Sequence, residues 1–158
     1  NKQILYSRYL PDLTKILKLN GWKEYSTKKK DNNLIKESEK GFIVIPNHAS
    51  KNKRRQIMKM FNDKENNNGK IINLLLVHSH IHVISPTCVR YLHMFEPEMK
   101  SDHQLKVIKR SLRRCPFLKK GNPQLLKVCT YFSVRHGTTS VPLNKPNKNN
   151  KGWFFGLF

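Results

Sequence analysis

Cysteine is scarce in this sequence and poorly placed for metal or for a disulfide framework. Cys88, Cys115 and Cys129 are odd in number and form no C-x-x-C pair. That excludes a cysteine-ligated zinc module and a small disulfide-stapled scaffold, and it fits a reducing compartment such as the cytosol. No segment approaches the run of roughly 18 apolar residues that a spanning helix needs, so no membrane association is expected. The chain opens on Asn1-Lys2-Gln3, without methionine or a signal-peptide pattern, and stops on the apolar stretch Trp153 to Phe158. Both ends suggest a piece of a longer protein. There is no G-x-x-x-x-G-K-[ST] loop and no Asp-Glu box, so this chain alone is not expected to hydrolyse ATP.

Acidic residues are also few. Ten Asp and Glu face 31 Lys and Arg, a formal net charge of +21. None of the acids lies beyond Asp102, whereas twelve Lys or Arg do. A field of that sign draws in phosphate backbones by counterion release. A solvated surface, or a genome whose codons favour Lys and Asn, would give the same composition. Aromatic residues are not interleaved with the basic ones along the chain, so a base-stacking platform is not expected.

The length of 158 residues suits one domain. Ile4 to Ser7 reads as a short strand. Pro11 sits at a helix start, Leu13, Ile16 and Leu17 recur at helical spacing, and Asn20-Gly21 closes that helix. Trp22 to Tyr25 suits a short strand, and 26 to 40 a polar loop. Phe42 to Ile45 is an apolar run of the kind buried on both faces. Ser50 is a candidate N-cap for a helix over Lys51 to Phe61. The spacing then gives strands at Ile71 to Val77, Val89 to Phe95 and Leu125 to Val134. A helix is expected over 101 to 114, with Leu105, Ile108 and Leu112 on its apolar face and Pro116 as its stop. Strands alternating with helices predict an α/β domain, its mostly parallel sheet covered by helices on both faces. We place that domain at 1–136 and read 137–158 as a basic linker or tail rich in Pro, Asn and Lys.

Several of these segments, in order, resemble motifs of the second RecA-like domain of superfamily-2 helicases of large cytoplasmic DNA viruses and linear plasmids. Leu5-Tyr6-Ser7-Arg8-Tyr9-Leu10 resembles the "VYSxF" strand end, and Gly21-Trp22-Lys23-Glu24-Tyr25 the "GW-x-E-Y" stretch. Arg54 to Asn62 resembles "R-x-x-I-x-x-F-N". Gly69 to Val77 resembles the strand leading into motif five, Val89 to Pro97 "VRxxHIxEP", and Lys106 to Cys115 motif six, "QxxGRxxRxC".

The resemblance implies ATP and Mg²⁺ bound between this domain and an N-terminal RecA-like domain. Arg110 and Arg113 stand at the two motif-six arginine positions, where such residues offset charge on the transferring phosphoryl group. Three apart on a helix, both would project to one face. Lys51, Arg54, Arg55 and Ser79 would contact the nucleic-acid backbone, without sequence preference. The setting implied is cytoplasmic, in a viral factory or virion, with viral transcription machinery as a partner.

Two departures favour an alternative, a helicase-derived nucleic-acid-binding subunit without ATPase activity. The Gln and Gly positions of motif six hold Lys106 and Lys109, and the motif-five loop "STGAEGLDL" is replaced by His78 to Pro86, where Ile81 and Val83 resist backbone conformations that glycine allows. His78, His80 and His82 would converge on zinc only if the chain stayed extended there; polar loop histidines are the plainer reading, and no metal site is assigned. His93 is expected to be a hydrogen-bonded strand histidine. A basic interaction module with an accidental likeness would lack the parallel sheet.

Overall fold

In a computed structural model, residues 1–27, 40–81, 83–95, 101–113, 115–116 and 125–131 are described. The expected loop over 26–40 and the tail from 137 onwards fall mostly or wholly outside them. Nine elements occur among these residues: β1 (Lys2–Ser7), α1 (Leu10–Leu19), β2 (Lys23–Tyr25), β3 (Gly41–Ile45), α2 (Lys51–Phe61), β4 (Leu74–His78), β5 (Val89–Phe95), α3 (Ser101–Ser111) and β6 (Lys127–Tyr131). The strands form one sheet in the order β2-β3-β4-β1-β5-β6. Every pairing is parallel.

The period of two along each strand sends alternate side chains to opposite faces. Ile4, Tyr6, Ile43, Ile45, Leu75, Val77, Leu92 and Met94 form one core with Ile57, Met58 and Phe61 of α2 and Val107 of α3. Phe42, Leu74 and Leu76 pack on the other face with Leu10 of α1, joined by Leu5, Leu17 and Val44. Helices therefore cover both faces, which is why β3 and β4 are apolar without alternation.

Local chemistry sets the ends. Trp22 N–H donates to the Leu17 carbonyl and Gly21 N–H to that of Lys18, both at 3.0 Å. With Gly21 at φ +78°, this is a Schellman ending, and only glycine takes that backbone without strain. β4 begins later than the apolar run suggests. Ile71 and Ile72 N–H both donate to Asn66 Oδ1, at 3.1 and 2.9 Å, and the Ile72 carbonyl accepts from Asn66 Nδ2 at 3.0 Å. Their backbone groups are satisfied by a side chain, so they stay outside the ladder.

The last helix differs from expectation in both face and length. Its inward residues are Val107 and Ser111, with Ile108 partly buried, whereas Leu105 and Leu112 are 50% and 46% exposed. It ends at Ser111, whose hydroxyl donates back to the Val107 carbonyl at 3.0 Å. Leu112 N–H still reaches Ile108, but Arg113 N–H closes a tighter turn on Arg110 at 3.4 Å.

Candidate functional site

The parallel register brings the carboxyl ends of three adjacent strands, β3, β4 and β1, to one edge. Arg8 and Tyr9 follow β1, Pro46-Asn47-His48 follow β3, and Ser79-His80 follow β4. Ser79 N–H donates to the Ser7 carbonyl at 3.2 Å, tying two of these ends together. In open α/β sheets this edge is where ligands bind, because side chains from separate strands meet there.

Helix α2 starts at the same edge. Ser50 caps it as expected, its hydroxyl accepting from Lys53 N–H at 3.2 Å. The first turn holds no acid. Lys51, Lys53 and Arg55 are exposed and Arg54 is half-buried. Cations at the positive end of a helix dipole are unfavourable, and a bound anion offsets that cost. A cleft of about 550 Å³ opens beside this turn, between Pro11 and Lys15 of α1, Glu24 of β2, and Asn47 and Lys53. Glu24 pairs with Lys18 at 2.6 Å across a largely exposed surface, where such a pair contributes little.

Ser79 sits at this edge but not on the surface. It is 8% exposed and its hydroxyl has no hydrogen-bond partner. Residues 79 to 81 and 83 to 88 are not an open loop. They carry the chain from β4 past β1 to β5, burying Ile81 and Ile84 in the larger core. The crossover is pinned at its far end, where the Asn62 amide donates to the Ser85 carbonyl and accepts from Thr87 N–H, both at 2.9 Å. The chain turns directly after β4, with Ile81 N–H on the His78 carbonyl at 2.8 Å. The extended run that would align alternate histidines is therefore absent, and His82 lies outside the described residues. Among those residues no group of three His, Cys, Asp or Glu is placed to hold a metal ion.

The motif-six arginines stand on α3 and on the turn after it, which leads to Cys115 beside Cys88, the residue before β5. Arg110 is half-buried on the helix, and its Nη1 is shut from solvent without a partner. Its charge reaches Tyr6, whose hydroxyl burial pushes well above the ordinary range while Arg110 draws it partly back. Arg113 is exposed beyond the helix end.

Beside them, Cys88 and Cys115 form a disulfide with Cα atoms 4.3 Å apart. This corrects the expectation drawn from cysteine spacing. The two sulfurs are 27 residues apart in sequence, and only the crossover and the return of α3 bring them together. His93 fits its expected role, hydrogen-bonded through Nδ1 to Tyr131 Oη at 2.9 Å and through Nε2 to Gln3 Oε1 at 3.1 Å. Arg8, Tyr9 and His48 were missed as site residues. Each directly follows a strand or ends the turn after one, and strand order, which a single sequence does not give, was needed to group them.

No protein-family model matches the sequence, and no curated protein is similar to it in sequence. In structure the chain is similar to the C-terminal part of the Fun30 ATPase domain, with a TM-score of 0.56 at 12% identity. The match covers 82% of this chain and 34% of that one, so this chain spans about a third of its structural relative. The likeness is one of fold, and the protein is an α/β domain of the RecA-like class.

Proposed function

We propose that this chain is the second RecA-like domain of an ATP-dependent nucleic-acid helicase or translocase, acting on the backbone of its substrate. The observation that carries this reading is the unneutralised basic start of α2, where Lys51, Arg54 and Arg55 crowd a helix N-terminus at the carboxyl edge of the sheet. The net charge of +21 supports it, as does similarity to a fragment of an ATPase domain. ATP and Mg²⁺ would be held with an N-terminal RecA-like domain, toward which Arg110 and Arg113 would offer guanidinium groups. The motif resemblance extends the proposal to viral transcription or genome handling in the cytoplasm, with the viral transcription machinery as partner.

A second reading, a nucleic-acid-binding subunit without ATPase activity, rests on a separate observation. The segment at the motif-five position is packed into the core and fastened at its end by Cys88–Cys115, and Arg113 has left its helix. ATP turnover by the full-length parent protein, with and without single-stranded DNA, separates the two. Stimulated turnover that collapses in Arg110→Ala and Arg113→Ala variants is the motor outcome. Salt-dependent DNA binding without turnover is the outcome for a non-hydrolysing subunit.

A further inference from the structure

Four side chains at the carboxyl edge carry no role in the motif resemblance. Where the resembling helicases carry glycines and an acid, this chain has His78-Ser79-His80, and the fold adds Arg8 from the end of β1 and His48 from the turn after β3. The His78 and His80 rings lie 5.2 Å apart. His80 N–H donates to His78 Nδ1 at 3.4 Å, which leaves the proton of the neutral His78 ring on Nε2. His48, His80 and Arg8 are exposed, and His78 is half-buried. Ser79, between the two rings, is buried with its hydroxyl unpartnered.

The electrostatics of this group are one-sided. Burial first, then His80, His48 and Arg8, hold the pKa of the His78 imidazole below its ordinary value. Among the described residues, every charged or titratable group acting on it is thus another imidazole or a guanidinium. The His78 imidazole therefore resists protonation while no anion is bound. A phosphodiester anion among the four groups would reverse that, since each imidazolium would then face an opposite charge at short range.

We propose that Arg8, His48, His78 and His80 form a phosphate seat that grips a nucleic-acid backbone more tightly as pH falls, taking up solvent protons on the imidazoles as the phosphate arrives. This rests on the reading that the carboxyl edge binds nucleic acid, and it adds a regulation of that edge. Binding and protonation are then linked, so each promotes the other.

The test uses the full chain and a labelled single strand of about 20 nucleotides, with affinity measured at about pH 8 and about pH 6 at fixed ionic strength. Wild type is expected to bind about tenfold more tightly at the lower pH. A His48→Gln/His78→Gln/His80→Gln variant is expected to bind no more tightly than wild type at the higher pH and to gain less than about twofold on acidification. A Lys51→Ala/Arg54→Ala/Arg55→Ala variant should weaken at both pH values and keep the acid gain. An acid gain that survives in the histidine variant overturns the seat, as does wild-type binding that ignores pH. Absence of wild-type binding at both pH values sinks the nucleic-acid reading as well. Should the histidine variant not fold, proton NMR titration of the wild-type imidazoles decides instead. Added strand should raise the titration midpoint of His78, and an unmoved midpoint overturns the proposal.

Discussion

Cys88 is bonded to Cys115 where the crossover from β4 meets the chain leaving α3. Cys88 itself has φ +61°, a left-handed backbone uncommon for a side chain of its kind. The bond closes a loop of 27 residues, and by loop entropy its removal should cost about 3.5 kcal/mol. Denaturant unfolding with and without a dithiol reductant, and of Cys115→Ser, checks this. Equal midpoints would show that the bond adds nothing. Alkylation of the unreduced native chain should label Cys129 alone.

Asn66 is 1% exposed and its amide makes four hydrogen bonds, to the Phe61 and Ile72 carbonyls and from Ile71 and Ile72 N–H. Asn66→Ala leaves those backbone groups without their partner. We expect a loss of about 3 kcal/mol, more than for a typical surface change. A thermal midpoint within a degree or two of wild type would contradict it.

Gly41 opens β3 against the chain entering β4, and a β-carbon there would overlap the Ile71 carbonyl oxygen. The obstacle is backbone, so it cannot swing aside. Gly41→Ala should destabilise by about 2 kcal/mol or more, or shift the register of β3 on β4, visible as lost hydrogen-exchange protection at Leu75 and Val77.

Lys2 is buried, with its ammonium 4.8 Å from the Phe61 ring centroid and 3.5 Å from the Thr87 carbonyl. Burial lowers its pKa from 10.5 to about 8, with Asp63 pulling the other way. Between those values the unfolded chain binds more protons than the folded one, so stability should rise with pH from about 8 to 10.5. Lys2→Met should flatten that slope. A wild-type unfolding free energy that is level or falls across this window would refute the account.

The basic start of α2 predicts a graded response to salt. Removing Lys51, Arg54 and Arg55 should reduce the slope of log affinity against log salt by about 0.9 for each phosphate of duplex DNA that these cations neutralise. A slope unchanged in the triple variant would mean that the backbone is gripped elsewhere on the domain.

The sequence carried the architecture because apolar runs of strand length, separated by helices, have one stable parallel arrangement. Ser50 and Asn20-Gly21 were readable because capping chemistry is local. What escaped were matters of tertiary partnership. The inward face of α3 is built on Val107 and Ser111 because a serine can satisfy itself within its own helix, so hydropathy pointed instead to Leu105 and Leu112. The start of β4 depended on one asparagine, and the pairing of Cys88 with Cys115 on the path of two connections. Of the expected site residues, Lys51, Arg54, Arg55 and Ser79 follow β3 and β4 at one edge, and Arg110 and Arg113 stand on α3 and just after it.

The position of β1 has a consequence for biosynthesis. Of the six strands it is made before the other five, yet it lies between β4 and β5, with Gln3 opposite Leu74 on one side and Tyr91 on the other. A nascent chain must therefore hold this apolar strand without either partner until β4 has emerged, and without its second until β5 has followed. Such late closure slows folding and invites wrong pairing. The lysine at position 2 and the arginine at position 8 then act as charged guards at the two ends of that waiting strand.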